Sequence, residues 1–126
     1  MIEKTIKLPS PNHPITIEPA SKRVVVTLGG GSVADTVEAL VLREANYPPV
    51  QYIPRKDVDM SALVRSETTS YCPYKGQASY FSIPTGGKRS VDAVWTYEAP
   101  HEAVVEIKGY LAFYPDRVEE IRELDV

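Results

Sequence analysis

The run Ser70-Tyr71-Cys72-Pro73-Tyr74-Lys75-Gly76 gathers the only cysteine of the chain, a lysine and two tyrosines. Thiolate is the nucleophilic form of cysteine, and nearby positive charge stabilises it. Lys75, three residues beyond Cys72, is the candidate source of that charge, or a binding group for an anionic ligand. In a catalytic reading Cys72 is the nucleophile or redox group and Lys75 its electrostatic partner. Gly76 would then let a substrate approach the backbone. A structural reading fits the same residues: free cysteines mostly behave as small buried hydrophobes, and a lysine beside a glycine suits an exposed turn. The sequence leaves both open. A cysteine nucleophile also needs a base. His13 and His101 are the two imidazoles available, and no spacing ties either to Cys72.

Aromatic residues surround this run. Tyr71, Tyr74, Tyr80, Trp95 and Tyr97 fall in two neighbouring strand-like segments and their turn, and with His13 they are the candidate ligand-binding residues. Such rings offer flat apolar faces and hydrogen-bonding tips to a pocket. They equally stabilise a small β core as cross-strand pairs. Strand alternation places Ala93, Trp95 and Tyr97 on one face. Arg23, Arg55 and Arg65 are candidates for an acidic ligand or for surface ion pairs. Gly29-Gly30-Gly31-Ser32 lacks the lysine and following helix of a phosphate loop and reads as a hairpin turn. Asp57 with Asp59, and Glu119 with Glu120, form no convincing acid–base pair or metal cage.

The elements that must position these groups follow from punctuation. Eleven prolines break the 126 residues at short intervals, which excludes long helices and suits short strands. Ile15-Thr16-Ile17 and Arg23-Val24-Val25-Val26-Thr27-Leu28 read as strands, and Ser32-Val33-Ala34 as the return from the glycine turn. Ala78-Ser79-Tyr80-Phe81-Ser82-Ile83 and the stretch from Val91 to Tyr97 form a second hairpin. Gln51-Tyr52-Ile53 and Tyr110-Leu111-Ala112-Phe113-Tyr114 are further strands. Pro100 and Gly109 bracket a short helix over residues 101–108. Residues 36–45 are ambiguous: Asp35-Thr36-Val37-Glu38 resembles a capping box, and the following residues suit helix or strand. The tail from Val118 to Glu123 reads as strand or frayed helix.

Length and ordinary composition, 43% hydrophobic and 25% charged, predict one globular domain over residues 1–126. A net charge of -3 without a basic run argues against nucleic acid as a partner. A lone cysteine allows neither an intrachain disulfide nor a cysteine-rich zinc site; no bound metal and no cofactor are expected. No apolar stretch approaches the roughly 20 residues of a membrane span, and residues 1–7 lack a signal-peptide core. A cytoplasmic protein that does not bind membranes is the expectation; its oligomeric state is open.

Three blocks carry a resemblance to a known family: C-P-Y-K-G at residues 72–76 with A-S-Y-F at 78–81, A-V-W-T-Y-E at 93–98, and I-K-G-Y-L-A-F-Y at 107–114. H-P-I-T-I at 13–17, Y-P-P-V at 47–50 and Y-I-P-R at 52–55 extend it over nearly the whole chain. The chain resembles the longer members of the family catalogued as domain of unknown function 427. The resemblance implies a compact, mainly antiparallel β domain with one or two short helices, similar to a metal-free version of the β-tent group, and it favours strand for residues 36–45. The family is sometimes labelled a nucleotidyltransferase. That chemistry normally needs carboxylate-bound divalent metal and a phosphate cradle, for which the chain shows no matching constellation. Two functional readings stand. One is a small-molecule pocket near the Cys72–Lys75 turn, with or without thiol-dependent catalysis. The other is a non-catalytic interaction module using a β edge or an aromatic patch.

Overall fold

Short β-branched runs between prolines become ten strands in a computed structural model that describes residues 4–126. Residues 1–3, part of the stretch read for a leader, lie outside the described residues. The strands are β1 (Ile15–Pro19), β2 (Arg23–Leu28), β3 (Gly31–Thr36), β4 (Leu40–Glu44) and β5 (Val50–Tyr52). They continue with β6 (Val64–Cys72), β7 (Gly76–Ser82), β8 (Val94–Thr96), β9 (Leu111–Phe113) and β10 (Glu120–Leu124). They form three antiparallel sheets, ordered β1-β4-β5, β10-β2-β3 and β6-β7-β8-β9. The fold is mainly β. Helical content is confined to 3-10 segments, of which Pro84–Ser90 and Glu102–Ile107 exceed three residues. Among the described residues no helix is long and apolar enough to cross a membrane.

The β2–β3 hairpin turns at Gly29 and Gly30, both at positive φ, between the partners Leu28 and Gly31. A two-residue loop of this hand matches the twist of the flanking strands. The ambiguous residues resolve as strand from Leu40. There β4 is the middle strand of its sheet, so its backbone groups are shared with β1 and β5 instead of an internal helical ladder. Thr36 caps no helix; its hydroxyl accepts the Glu38 amide at 2.9 Å as a turn. The tail pairs with β2 as β10.

Strands β7, β8 and β9 of the four-stranded sheet are covered on both faces. Phe81, Val94, Leu111 and Phe113 enter one apolar cluster with Val24, Val26 and Ile53. Ala78, Tyr80, Trp95 and Ala112 enter a second with Leu42, Tyr52 and Tyr97. Period-two alternation sorts them, and register sets Tyr80, Trp95 and Ala112 in one row across three strands. Ala93 departs from this pattern. It packs in the first cluster, not beside Trp95, because β8 begins at Val94 and Asp92 before it takes a left-handed φ of 51°. The expected shared face of Ala93, Trp95 and Tyr97 therefore holds only for the last two.

Gly86 is required by close approach. A Cβ there would fall on the side chain of Ser90, which is fully buried and donates its hydroxyl to the Arg117 carbonyl at 2.7 Å. Gly86→Ala is expected to cost about 1–3 kcal/mol through overpacking. Urea unfolding measures it, and a variant as stable as the parent would show that the Pro84–Ser90 segment yields freely.

Candidate functional site

The chemistry-rich run is not one tight turn. β6 continues through Tyr71 and Cys72, the chain reverses over residues 73–75, and Gly76 opens β7 as the cross-strand partner of Cys72. The Lys75 amide closes the turn on the Cys72 carbonyl at 3.2 Å. Gly76 takes φ 111°, and the space above it holds the Ala99, Pro100 and His101 backbone, with the His101 amide donating to the Lys75 carbonyl at 2.9 Å. That position is a packing contact, not an approach for substrate.

The Lys75 ammonium extends away from this hairpin to Oε1 of Glu44, at the end of β4. His13 Nε2 meets the other oxygen, Oε2, at 2.7 Å. The Glu44 and Lys75 side chains are each 12% exposed. Burial pushes the Glu44 carboxyl up, but hydrogen bonds and charge from Lys75 and His13 outweigh it, and the group titrates below the usual carboxylate range. Tyr74 stacks flat on His13, with ring centroids 3.9 Å apart and planes at 6°, and so holds the imidazole against Glu44.

Glu44 and Lys75 form the polar end of a cavity of about 190 Å³. Its other walls are Leu42, Pro48, Val50 and six aromatic side chains: Tyr47, Tyr52, Tyr80, Trp95, Tyr97 and Tyr114. Trp95 donates Nε1–H to the Tyr52 hydroxyl at 3.3 Å and lies 4.4 Å, centroid to centroid, from Tyr114. Burial, with the neighbouring Tyr80 hydroxyl, pushes the Tyr114 phenol up to about 12. Burial raises Tyr52 and Tyr97 further. A larger depression of about 670 Å³ adjoins, sharing Tyr47, Pro48, Val50, Trp95 and Tyr114 as its border.

Of the residues singled out by sequence, Lys75, Tyr80, Trp95 and Tyr97 line the cavity. His13 and Tyr74 stand behind Glu44 as its support. Tyr71 is elsewhere, its hydroxyl donating to the Thr5 carbonyl at 2.6 Å and meeting His101 at 3.1 Å. Cys72 is half-buried in the second apolar cluster and is not part of the cavity wall. The pairing expected between Lys75 and Cys72 is replaced by Lys75 with Glu44, because a carboxylate withdrawn from water draws the cation more strongly than a thiol does. Arg55 and Arg65 both pair with Glu98, and Arg23 pairs with Asp35. Glu44, Tyr47, Tyr52 and Tyr114 escaped the sequence reading. The three tyrosines do fall inside the blocks Y-P-P-V, Y-I-P-R and I-K-G-Y-L-A-F-Y; Glu44 had no such signal. Among the described residues no group of three or more His, Cys, Asp and Glu side chains converges as metal ligands.

A family model described as Domain of unknown function (DUF427) matches residues 16–124, and the chain belongs to that family. No curated protein matches it.

The depressed pKa of Glu44 has a definite sign. Its contribution to stability is complete above the unfolded-chain value near about 4.3 and is lost as pH falls through the lower folded value. Glu44→Gln is expected to cost about 1–3 kcal/mol at neutral pH, as for a hydrogen bond to a charged group. It should also shrink the loss of stability on acidification below about pH 4.3. Urea unfolding on both sides of that pH checks this; unchanged stability at neutral pH would show that the network contributes nothing net.

Proposed function

For this member of the family we propose a small-molecule-binding domain whose site is the aromatic cavity closed at one end by Glu44 and Lys75. The observation that carries the reading is convergence: six aromatic rings and a shielded ion pair, drawn from β4, β5, β7, β8 and the segments beside these strands and β9, line one concavity. Ligand sites are concave and combine aromatic walls with a few placed polar groups, and this cavity has both. Cross-strand packing accounts for Tyr80 beside Trp95. It does not account for a lysine and a glutamate, each 12% exposed, in the same wall. In this reading Cys72 is packing and the site binds without using the thiol.

A second reading, an interaction module, draws support from β6. This strand runs nine residues along the edge of its sheet with most side chains exposed, an arrangement open to pairing with another chain.

Trp95 is the only tryptophan, so its emission reports on the cavity directly. A thermal-shift screen of metabolites should yield ligands that raise Tm and also change Trp95 emission. Tyr80→Ala should weaken such a ligand about tenfold, whereas Cys72→Ser should leave its affinity within about twofold, since that side chain lies outside the wall. Stabilisation without an emission change would move the site elsewhere, and loss of binding in Cys72→Ser would restore the thiol to it.

A further inference from the structure

The hydrogen-bonding capacity of the cavity is unbalanced. Both Glu44 oxygens are engaged, one by Lys75 and one by His13. An ammonium has three donors, and among the described residues the side chain of Lys75 commits its hydrogen bond to Glu44 alone. Tyr52 accepts from Trp95, which leaves its own O–H free to donate. Tyr97 lines the cavity, and among the described residues no group takes a hydrogen bond from its hydroxyl, which is not sealed from the cavity and can donate into it. Burial keeps both phenols protonated, and hence donors, at neutral pH. The cavity thus holds spare donors beside a cation and has its one carboxylate covered.

Size narrows the occupant. About 190 Å³ lies below the roughly 300–1,000 Å³ of sites for drug-sized ligands, which suits one ring with one polar group. Trp95 and Tyr114, their rings inclined at 41°, offer aromatic surface to such a ring. Aromatic cages also attract cations, but here Lys75 already places a cation in the wall and both Glu44 oxygens are taken.

We propose that the cavity selects a small planar carboxylate, an aromatic or heteroaromatic acid, whose carboxylate accepts from Lys75 and Tyr97 while its ring lies against Trp95. The proposal rests on the cavity being a ligand site and adds the charge and shape of the ligand. Glu44 would repel an anion if bare, but Lys75 and His13 cover its two oxygens.

The test uses the whole chain and three probes of similar size: benzoate, its neutral analogue benzamide, and phenyltrimethylammonium. Trp95 emission should report benzoate binding at least about tenfold tighter than benzamide, as for one charge-assisted hydrogen bond, and no binding of the cation. Lys75→Met should abolish the preference for benzoate over benzamide, because the positive charge favours the carboxylate over the neutral amide. Tyr97→Phe, which preserves the ring, should weaken benzoate about fivefold for one lost hydrogen bond. If Lys75→Met fails to fold, the probe series on the parent and on Tyr97→Phe decides the matter. Benzamide or the cation binding as tightly as benzoate overturns the anion selectivity and leaves the pocket standing. Failure of benzoate to change Trp95 emission at about 10 mM, well above the millimolar Kd of even a weak complex, overturns the proposal. The metabolite screen then decides separately whether the cavity binds anything.

Discussion

A carboxylate removed from most of its water must be met by charge and hydrogen bonds, and Glu44 imposes that constraint here. It ends β4 in one sheet, takes Lys75 from the β6–β7 hairpin of another, and takes His13 from the segment before β1. One side chain therefore ties the β6–β7 hairpin of one sheet to the paired β1–β4 edge of another. Replacing such a pair by well-packed apolar groups is often neutral, whereas removing one partner is costly, so its main effect is on geometry. The consequences run outward from it. Lys75 is held in the cavity wall beside Glu44, and Tyr74 is brought flat against His13.

The aromatic wall depends on a second connection. Ile53 and Leu111 exchange amide–carbonyl bonds, each 2.8 Å, and this bridge ties the end of β5 to β9. It brings Tyr52 edge-on to Trp95, although the two belong to different sheets. Tyr52, Tyr80 and Trp95 project from strands and not from long loops. A cavity walled this way keeps its shape without a ligand, which lowers the ordering cost of binding.

The four-stranded sheet can serve both core and site because its two faces do different work. Val94, Thr96, Leu111 and Phe113 are buried on or beside the first cluster, while Trp95 and Ala112 face the second. Thr96 is buried at no loss, since its hydroxyl donates to the Tyr110 carbonyl at 2.7 Å. Cys72 packs against the same second cluster.

Local rules written along the chain determined much of this protein. Proline spacing ruled out long helices, the glycines after Leu28 called for a tight hairpin, and alternation placed Trp95 opposite Val94 and Thr96. These outcomes depend on backbone dihedrals and side-chain period, which a short stretch sets for itself. The family blocks also contained Tyr47, Tyr52 and Tyr114 without saying that they share a wall with Tyr80 and Trp95. Residues 36–45 marked the limit of local reading: helix and strand propensities balanced, and pairing on both sides by β1 and β5 decided for strand from Leu40. The partner of Lys75 lay beyond that limit too. Three residues along the chain suggested Cys72, yet Glu44, 31 positions away, prevailed. Electrostatic pairing depends on distance in space and on burial, and both arise only when the sheets pack.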